Sequence, residues 1–186
     1  EEFPAFIQLK NPRTINFLTD GEEAANAALE VMTLHSPDKD KINTLFNFLC
    51  FANHRPCIVF CNHRESVERV CNLLAEKGLK VAYYHGGMEQ RERESELCMF
   101  KNGTSNILVT TDLASRGLDI PGVRYIIHYH LPLSEDVFTH RNGRTARMHD
   151  FGTAILLLSD EEKIPDYLAQ DLNEIPIPEE NDIPLK

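Results

Sequence analysis

Short apolar runs alternate with stretches of helical period along most of this chain. Cys57-Ile58-Val59-Phe60-Cys61 is a continuous apolar run of strand length. The period then changes: Val67, Val70, Leu73 and Leu74 recur at helical spacing between Glu65 and Lys77. Gly78 stands where a helix C-cap belongs. The same reading makes Val81–Tyr84 a strand and Gln90–Phe100 a helix, stopped at Asn102-Gly103. Asn106–Thr110 and Tyr125–His128 read as strands, Ser134 to Asn142 as a helix, and Thr153–Leu158 as a last strand. Asp160–Ala169 reads as a short closing helix. Upstream, Ile15–Leu18 and Leu29–Leu34 read as strands, and Asp38–Phe51 as a helix with Leu45, Phe48 and Leu49 on its inner face. Strands alternating with helices make βαβ units. The expected fold is therefore α/β, a three-layer αβα arrangement with a mostly parallel sheet, helices on both faces and right-handed crossovers.

Composition narrows the class. The 186 residues are 42% hydrophobic and 26% charged, as in an ordinary globular domain. No apolar run approaches the roughly 18 residues that a membrane span needs. The start, Glu1-Glu2-Phe3-Pro4, lacks the basic and apolar regions of a signal peptide and carries no initiator Met, so it reads as a fragment or a processed chain. The five cysteines are irregularly spaced with no Cys-x-x-Cys pair. That argues against a disulfide framework or a zinc site and for a reducing, cytoplasmic setting. The net charge of −10 looks hostile to nucleic acid, but the acid is concentrated in the tail. Asp160–Lys186 holds nine acidic residues and two lysines, whereas Tyr84–Arg147 balances eight acidic against eight basic residues. The middle of the chain can still present a basic face. Glu174–Pro184 is Pro-rich and acidic and reads as an extended tail, docked or loose.

In a parallel sheet, ligands gather at the carboxyl ends of the strands. Here those ends lead into Asn62-His63-Arg64, His85-Gly86-Gly87 and Thr111-Asp112. Gly86-Gly87 can bring bare amides to an anion, or it is an ordinary strand-to-helix turn. Thr111 and Asp112 cap the next helix or hold a phosphate. Asn62 and Arg64 are a cap and a solvated charge, or part of the same edge. Asp119, after Arg116-Gly117-Leu118, is a turn carboxylate or an acceptor for a ribose hydroxyl. The densest signal is His140-Arg141-Asn142-Gly143-Arg144-Thr145-Ala146-Arg147. Arginine forks match phosphate oxygens two at a time, and Arg144 and Arg147 share a helical face if that segment is helical. The bland alternative is a basic helix end that complements the helix dipole. No nucleophile–base pair and no metal cluster emerges.

Taken in order, these motifs resemble a known family. Ile58-Val59-Phe60 with Asn62, His85-Gly86, Gln90-x-x-Arg93 with Phe100 and Gly103, Thr111–Asp119 and His140–Arg147 resemble the second RecA-like domain of DEAD-box ATP-dependent RNA helicases. The resemblance covers roughly Lys41 to Leu158. It implies that Arg144 and Arg147, with His140, form the catalytic group, the two arginines reaching the γ-phosphate of ATP. It implies nucleotide contacts from Asp119, Arg116 and Arg141, with His140 and Arg141 also coupling to a partner domain. Thr111, Arg93, Asn62 and the Gly86 and Gly103 backbones would grip an RNA backbone without reading its sequence. The departures are Asn142 for an aliphatic residue, Ala146 for glycine and His130 for aspartate. No phosphate loop and no Asp-Glu-Ala-Asp run occurs. The family carries both in an N-terminal RecA-like domain, which also holds Mg2+.

The expectation is therefore a monomeric C-terminal domain whose partners are RNA, ATP and the N-terminal domain of the same polypeptide, with no membrane association and no ATPase activity alone. Residues 1–37 are read as a lead-in with an added edge strand, 38–170 as the RecA-like domain and 171–186 as the tail. Alternatives are a non-catalytic RNA clamp, a protein-interaction module using the acidic tail, or a dehydrogenase-type nucleotide domain. The last lacks the Gly-x-Gly-x-x-Gly it needs.

Overall fold

The computed structural model describes residues 14–15, 28–116, 118, 123–142 and 151–176. The elements in chain order are β1 (Thr14–Ile15), β2 (Ala28–His35), α1 (Ile42–Ala52), β3 (Cys57–Cys61), α2 (Arg64–Glu76), β4 (Ala82–Tyr84) and α3 (Gln90–Lys101). They continue with β5 (Ile107–Thr111), α4 (Asp112–Ser115), β6 (Tyr125–His128), α5 (Glu135–Asn142), β7 (Phe151–Leu158) and β8 (Asn173–Glu174).

One sheet runs β1-β2-β7-β6-β3-β5-β4, with β8 also pairing β2. Among the described strands only β1 is antiparallel to its neighbour. Successive side chains of a strand face opposite ways, and the core divides accordingly. Cys57, Val59 and Cys61 join Val109, Ile127 and Leu157 under Leu45, Phe48 and Leu49 of α1 and Val67, Val70 and Leu74 of α2. Ile58 and Phe60 face the other way with Leu108 and Ile126, covered by Leu97 and Phe100 of α3. Farther along that second face, Val31, Ala154 and Leu156 pack against Phe138 of α5 and against Ile164, Tyr167 and Leu168. The expected three layers and mostly parallel sheet are present. The central strands β3, β5 and β6 are buried on both faces, which is why they read as unbroken apolar runs.

Some expectations change. The closing helix at Asp160–Ala169 is absent; the segment is a series of turns. Pro165 disfavours helical backbone at Ile164 and removes a donor, and Ile164, Tyr167 and Leu168 still bury against the sheet. Helix α1 begins at Ile42 rather than Asp38, because Lys41 holds a left-handed conformation (φ 70°). Its buried ammonium donates to the carbonyls of Tyr129 and Leu157 and to Glu162. The start of the tail docks: β8 lies parallel to β2, the Ile175 N–H donates to Thr33 O at 2.8 Å, and Ile175 is buried. β2 pairs with β7 along all eight of its residues. The strand expected at Ile15–Leu18 overlaps β1 only at Ile15, and its remainder lies outside the described residues. Among the described residues no helix is long and apolar enough to cross a membrane.

Candidate functional site

The parallel sheet brings the ends of β3, β4, β5 and β6 to one edge, and Asn62, His85-Gly86, Thr111-Asp112 and Arg141 stand there. At its centre is Arg141, carried by the last turn of α5 and only 1% exposed. Its Nε donates to Asp112 Oδ1 at 2.6 Å and its Nη2 to Asp112 Oδ2 at 2.8 Å. Nη2 also donates to Asn62 Oδ1 at 2.8 Å. Nη1 reaches His130 O at 2.8 Å and His128 Nδ1 at 3.2 Å. The guanidinium lies 5.2 Å from the Phe60 ring centroid. A guanidinium has five N–H donors, and these five contacts use all of them.

The surrounding imidazoles are set by the same geometry. Burial, then the Arg141 charge, holds His128 well below the ordinary imidazole range. Neutral His128 accepts from Arg141 through Nδ1, so Nε2 carries the hydrogen and donates to Asn142 Oδ1 at 3.0 Å. His130 accepts the Asn62 backbone N–H on Nδ1 at 2.9 Å. Its pKa is pushed down to about 4, mainly by burial, with Lys41, His63 and Arg141 adding to the effect. The family departures at His130 and Asn142 are therefore parts of one buried polar network, in which every strand-end motif but that of β4 meets Arg141.

The remaining expected residues divide by position. Thr111 caps α4, its Oγ1 accepting from the Ala114 N–H at 3.1 Å. Arg116 and His140, both exposed, line a cavity of about 200 Å3 together with Asp112, Ser115, Val137 and the buried Arg141. Arg93 is half-buried on the first turn of α3, donates to Gln90 Oε1 at 2.9 Å and sits 6.0 Å from the Tyr84 ring centroid. Its Nε is buried and has no partner among the described residues. Gly86 is exposed with open space on its Cβ side. Gly103 has φ +85°, a conformation that explains glycine there as the stop of α3, and it lies at the opposite edge of the sheet, beside the start of β4. Asp119, Arg144 and Arg147 lie outside the described residues.

Arg141 was expected among the nucleotide and partner-domain contacts; in this domain its five donors are used internally, holding Asn62 and Asp112 to α5, and it is almost fully buried at the floor of the cavity that Arg116 and His140 line. Sequence reasoning missed His128. The available signal was a histidine closing an apolar strand, with Asn142 beside Arg141.

Comparison with known proteins adds the decisive observation. Residues 40–149 match the family model described as the helicase conserved C-terminal domain. The chain belongs to the DEAD-box helicases, as their C-terminal RecA-like domain. It is 36% identical over 153 residues to DEAD-box ATP-dependent RNA helicase 21 of Oryza sativa subsp. japonica, covering 82% of this chain and 20% of that protein. It is 35% identical over 147 residues to ATP-dependent RNA helicase DbpA of Escherichia coli, covering 79% and 32%. Among solved structures it resembles the E. coli DEAD-box protein SrmB bound to regulator of ribonuclease activity A, with a TM-score of 0.71 and 33% identity over 78% of this chain and 89% of that one. It also resembles S. cerevisiae Dbp5 bound to RNA and ADP BeF3, with a TM-score of 0.63 and 26% identity over 70% and 35%. The first curated relatives are longer proteins, of which this DEAD-box domain spans 20% to 38%.

Proposed function

We propose that this domain supplies half of the ATP site and half of the RNA clamp of an ATP-dependent RNA helicase. The observation that carries the reading is the Arg141 network. It ties Asn62 and Asp112, on the strand-end edge, to α5, and the chain runs from α5 directly into Gly143–Arg147. In this reading Arg144 and Arg147 stabilise the charge that develops on the γ-phosphate during transfer, with His140 beside them. Asp119 accepts from the ribose, and Arg116 bridges the cleft between domains. Because Asn62 Oδ1 accepts from Arg141, its Nδ2 hydrogens are left for a phosphate oxygen. The Thr111 hydroxyl, the Arg93 guanidinium and the Gly86 backbone complete a sequence-independent grip on the sugar-phosphate backbone, which Gly103, at the far end of α3, does not share.

The phosphate loop and the Mg2+ ligands belong to an N-terminal RecA-like domain of the same cytoplasmic, monomeric polypeptide. Closure of the two domains over ATP and RNA assembles the site, and hydrolysis reopens it. Since Arg141 joins the RNA edge rigidly to the helix leading to the fingers, RNA seating and finger placement change together. The test is steady-state ATPase with saturating single-stranded RNA. The isolated 186-residue chain is expected to show no turnover above background, and the chain joined to its N-terminal domain to show RNA-stimulated turnover. RNA-stimulated hydrolysis by the isolated chain contradicts the proposal.

A further inference from the structure

We infer that His85 is a positioning residue for the Gly86–Gly87 turn, holding in one conformation the backbone assigned above to RNA; the inference rests on that assignment. Two consecutive glycines are the most conformationally free dipeptide a chain can place at a binding edge. Left alone, they would have to be ordered each time a ligand binds, which weakens binding.

The structure supplies the restraint. His85, 2% exposed, follows β4 directly, and its Nδ1 accepts the Gly87 N–H at 3.0 Å. That bond leaves the ring hydrogen on Nε2, which lies 2.9 Å from Glu68 Oε2 on α2 but out of line for a hydrogen bond, so the Gly87 N–H bond is the ring's polar tie to the turn. The ring stacks on Tyr83 with centroids 6.1 Å apart and planes 28° apart. A Cβ at Gly87 would lie 3.0 Å from Arg64 Nη1 and 3.2 and 3.3 Å from two atoms of the His85 ring. The imidazole and the Arg64 guanidinium therefore both close on the Gly87 backbone. At Gly86 the same test meets nothing within 4 Å, so that residue offers an open face to a ligand. A cavity of about 240 Å3 lies against the same ring, bounded also by Glu68, Tyr83 and Glu92. The turn is thus backed on that side by the imidazole and Met88 rather than by close-packed side chains. Arg64 opens α2 two residues after Asn62, so the guanidinium beside Gly87 comes from the same strand end that carries Asn62.

A side-chain acceptor two residues before the amide it holds is the geometry of an Asx turn. Asparagine at position 85 can therefore restore the bond, whereas leucine fills similar volume without an acceptor. The experiment titrates the 15N-labelled chain with a single-stranded oligouridine and follows the Asn62, Gly86 and Arg93 amides, for wild type, His85→Leu, His85→Asn and Gly87→Ala. His85→Leu is expected to weaken RNA binding about fivefold, the equivalent of one lost hydrogen bond. His85→Asn is expected to bind within about twofold of wild type, since the bond is restored. Gly87→Ala, at an exposed position that leaves the core intact, is expected to weaken binding as His85→Leu does, by displacing the ring. Equal affinity for His85→Leu and wild type overturns the inference, as does an asparagine variant no better than the leucine variant. A wild-type chain whose three reporter amides ignore RNA overturns the RNA assignment itself and the inference with it.

Discussion

Replacing Arg141 with methionine removes the one side chain that joins Asn62, Asp112, His128, His130 and α5. The perturbation is severe because the guanidinium is 1% exposed and the Asp112 carboxylate, 35% exposed, loses both of the hydrogen bonds it accepts from it. Breaking a buried ion pair from one side typically costs about 3–5 kcal/mol. Here the His130 carbonyl and the buried His128 Nδ1 also lose their donor. The lower part of that range is the expectation, about 3 kcal/mol, since half-exposed Asp112 and Asn62 recover some solvation. For a domain of this size that is roughly a 6–12 °C fall in Tm. Lysine does not rescue, because an ammonium has three donors on one point and cannot form the bidentate Asp112 pair while reaching Asn62 and the His130 carbonyl. The coupling to Asp112 is isolated by a double-mutant cycle with Asp112→Asn, read by urea denaturation of the isolated chain. The double variant is expected to be about 1–2 kcal/mol more stable than the sum of the single losses implies. An Arg141→Met chain within about 1 kcal/mol of wild type refutes the reasoning, because the network would then carry no more than a surface pair does.

The two network imidazoles make stability depend on pH. Both are neutral in the fold, with His130 at about 4 and His128 well below the ordinary 6.5, whereas the unfolded chain binds their protons near 6.5. The unfolded state therefore binds more protons between about pH 4 and 6.5; their contribution is fully present above that window and falls as pH drops through it. Urea midpoints should decline from pH 7 to pH 5, less so in a His128→Asn/His130→Asn chain; equal slopes would remove the imidazoles as the cause. At Gly103, alanine should lower stability by about 1 kcal/mol through its positive φ and asparagine by roughly half as much. An alanine variant as stable as wild type would show that the end of α3 does not need the left-handed residue.

How much of this was legible in the sequence depended on which physical signal each part leaves. Strands β3, β5 and β6 were read almost to the residue, since burial on both faces writes an apolar run such as Cys57–Cys61. The end of α2 was marked by Gly78, which takes φ +100°. Docking of the tail was not readable: β8 is two residues long and held by backbone pairing, with Ile175 as its main buried anchor. The closing helix was an error of weighting, in which a helical-looking Asp160–Ala169 outweighed Pro165. The site was half legible. Which motifs share an edge follows from βαβ topology, so the ends of β3, β4 and β5 were placed correctly together. The orientation of Arg141 was not, because α5 has almost no apolar stripe: its buried residues are Phe138, Arg141 and Asn142. Their i, i+3, i+4 spacing was the clue, with a charge and an amide standing where apolar residues are the rule.

The central claim is that the chain completes an ATP site through Arg144 and Arg147. It is tested most directly by RNA-stimulated ATPase rates of the full-length helicase carrying Arg144→Ala or Arg147→Ala. With RNA affinity unchanged, each variant is expected to lose about a thousandfold in kcat, the scale of an arginine that stabilises transferring phosphate. Rates within a few-fold of wild type for both variants would contradict the account.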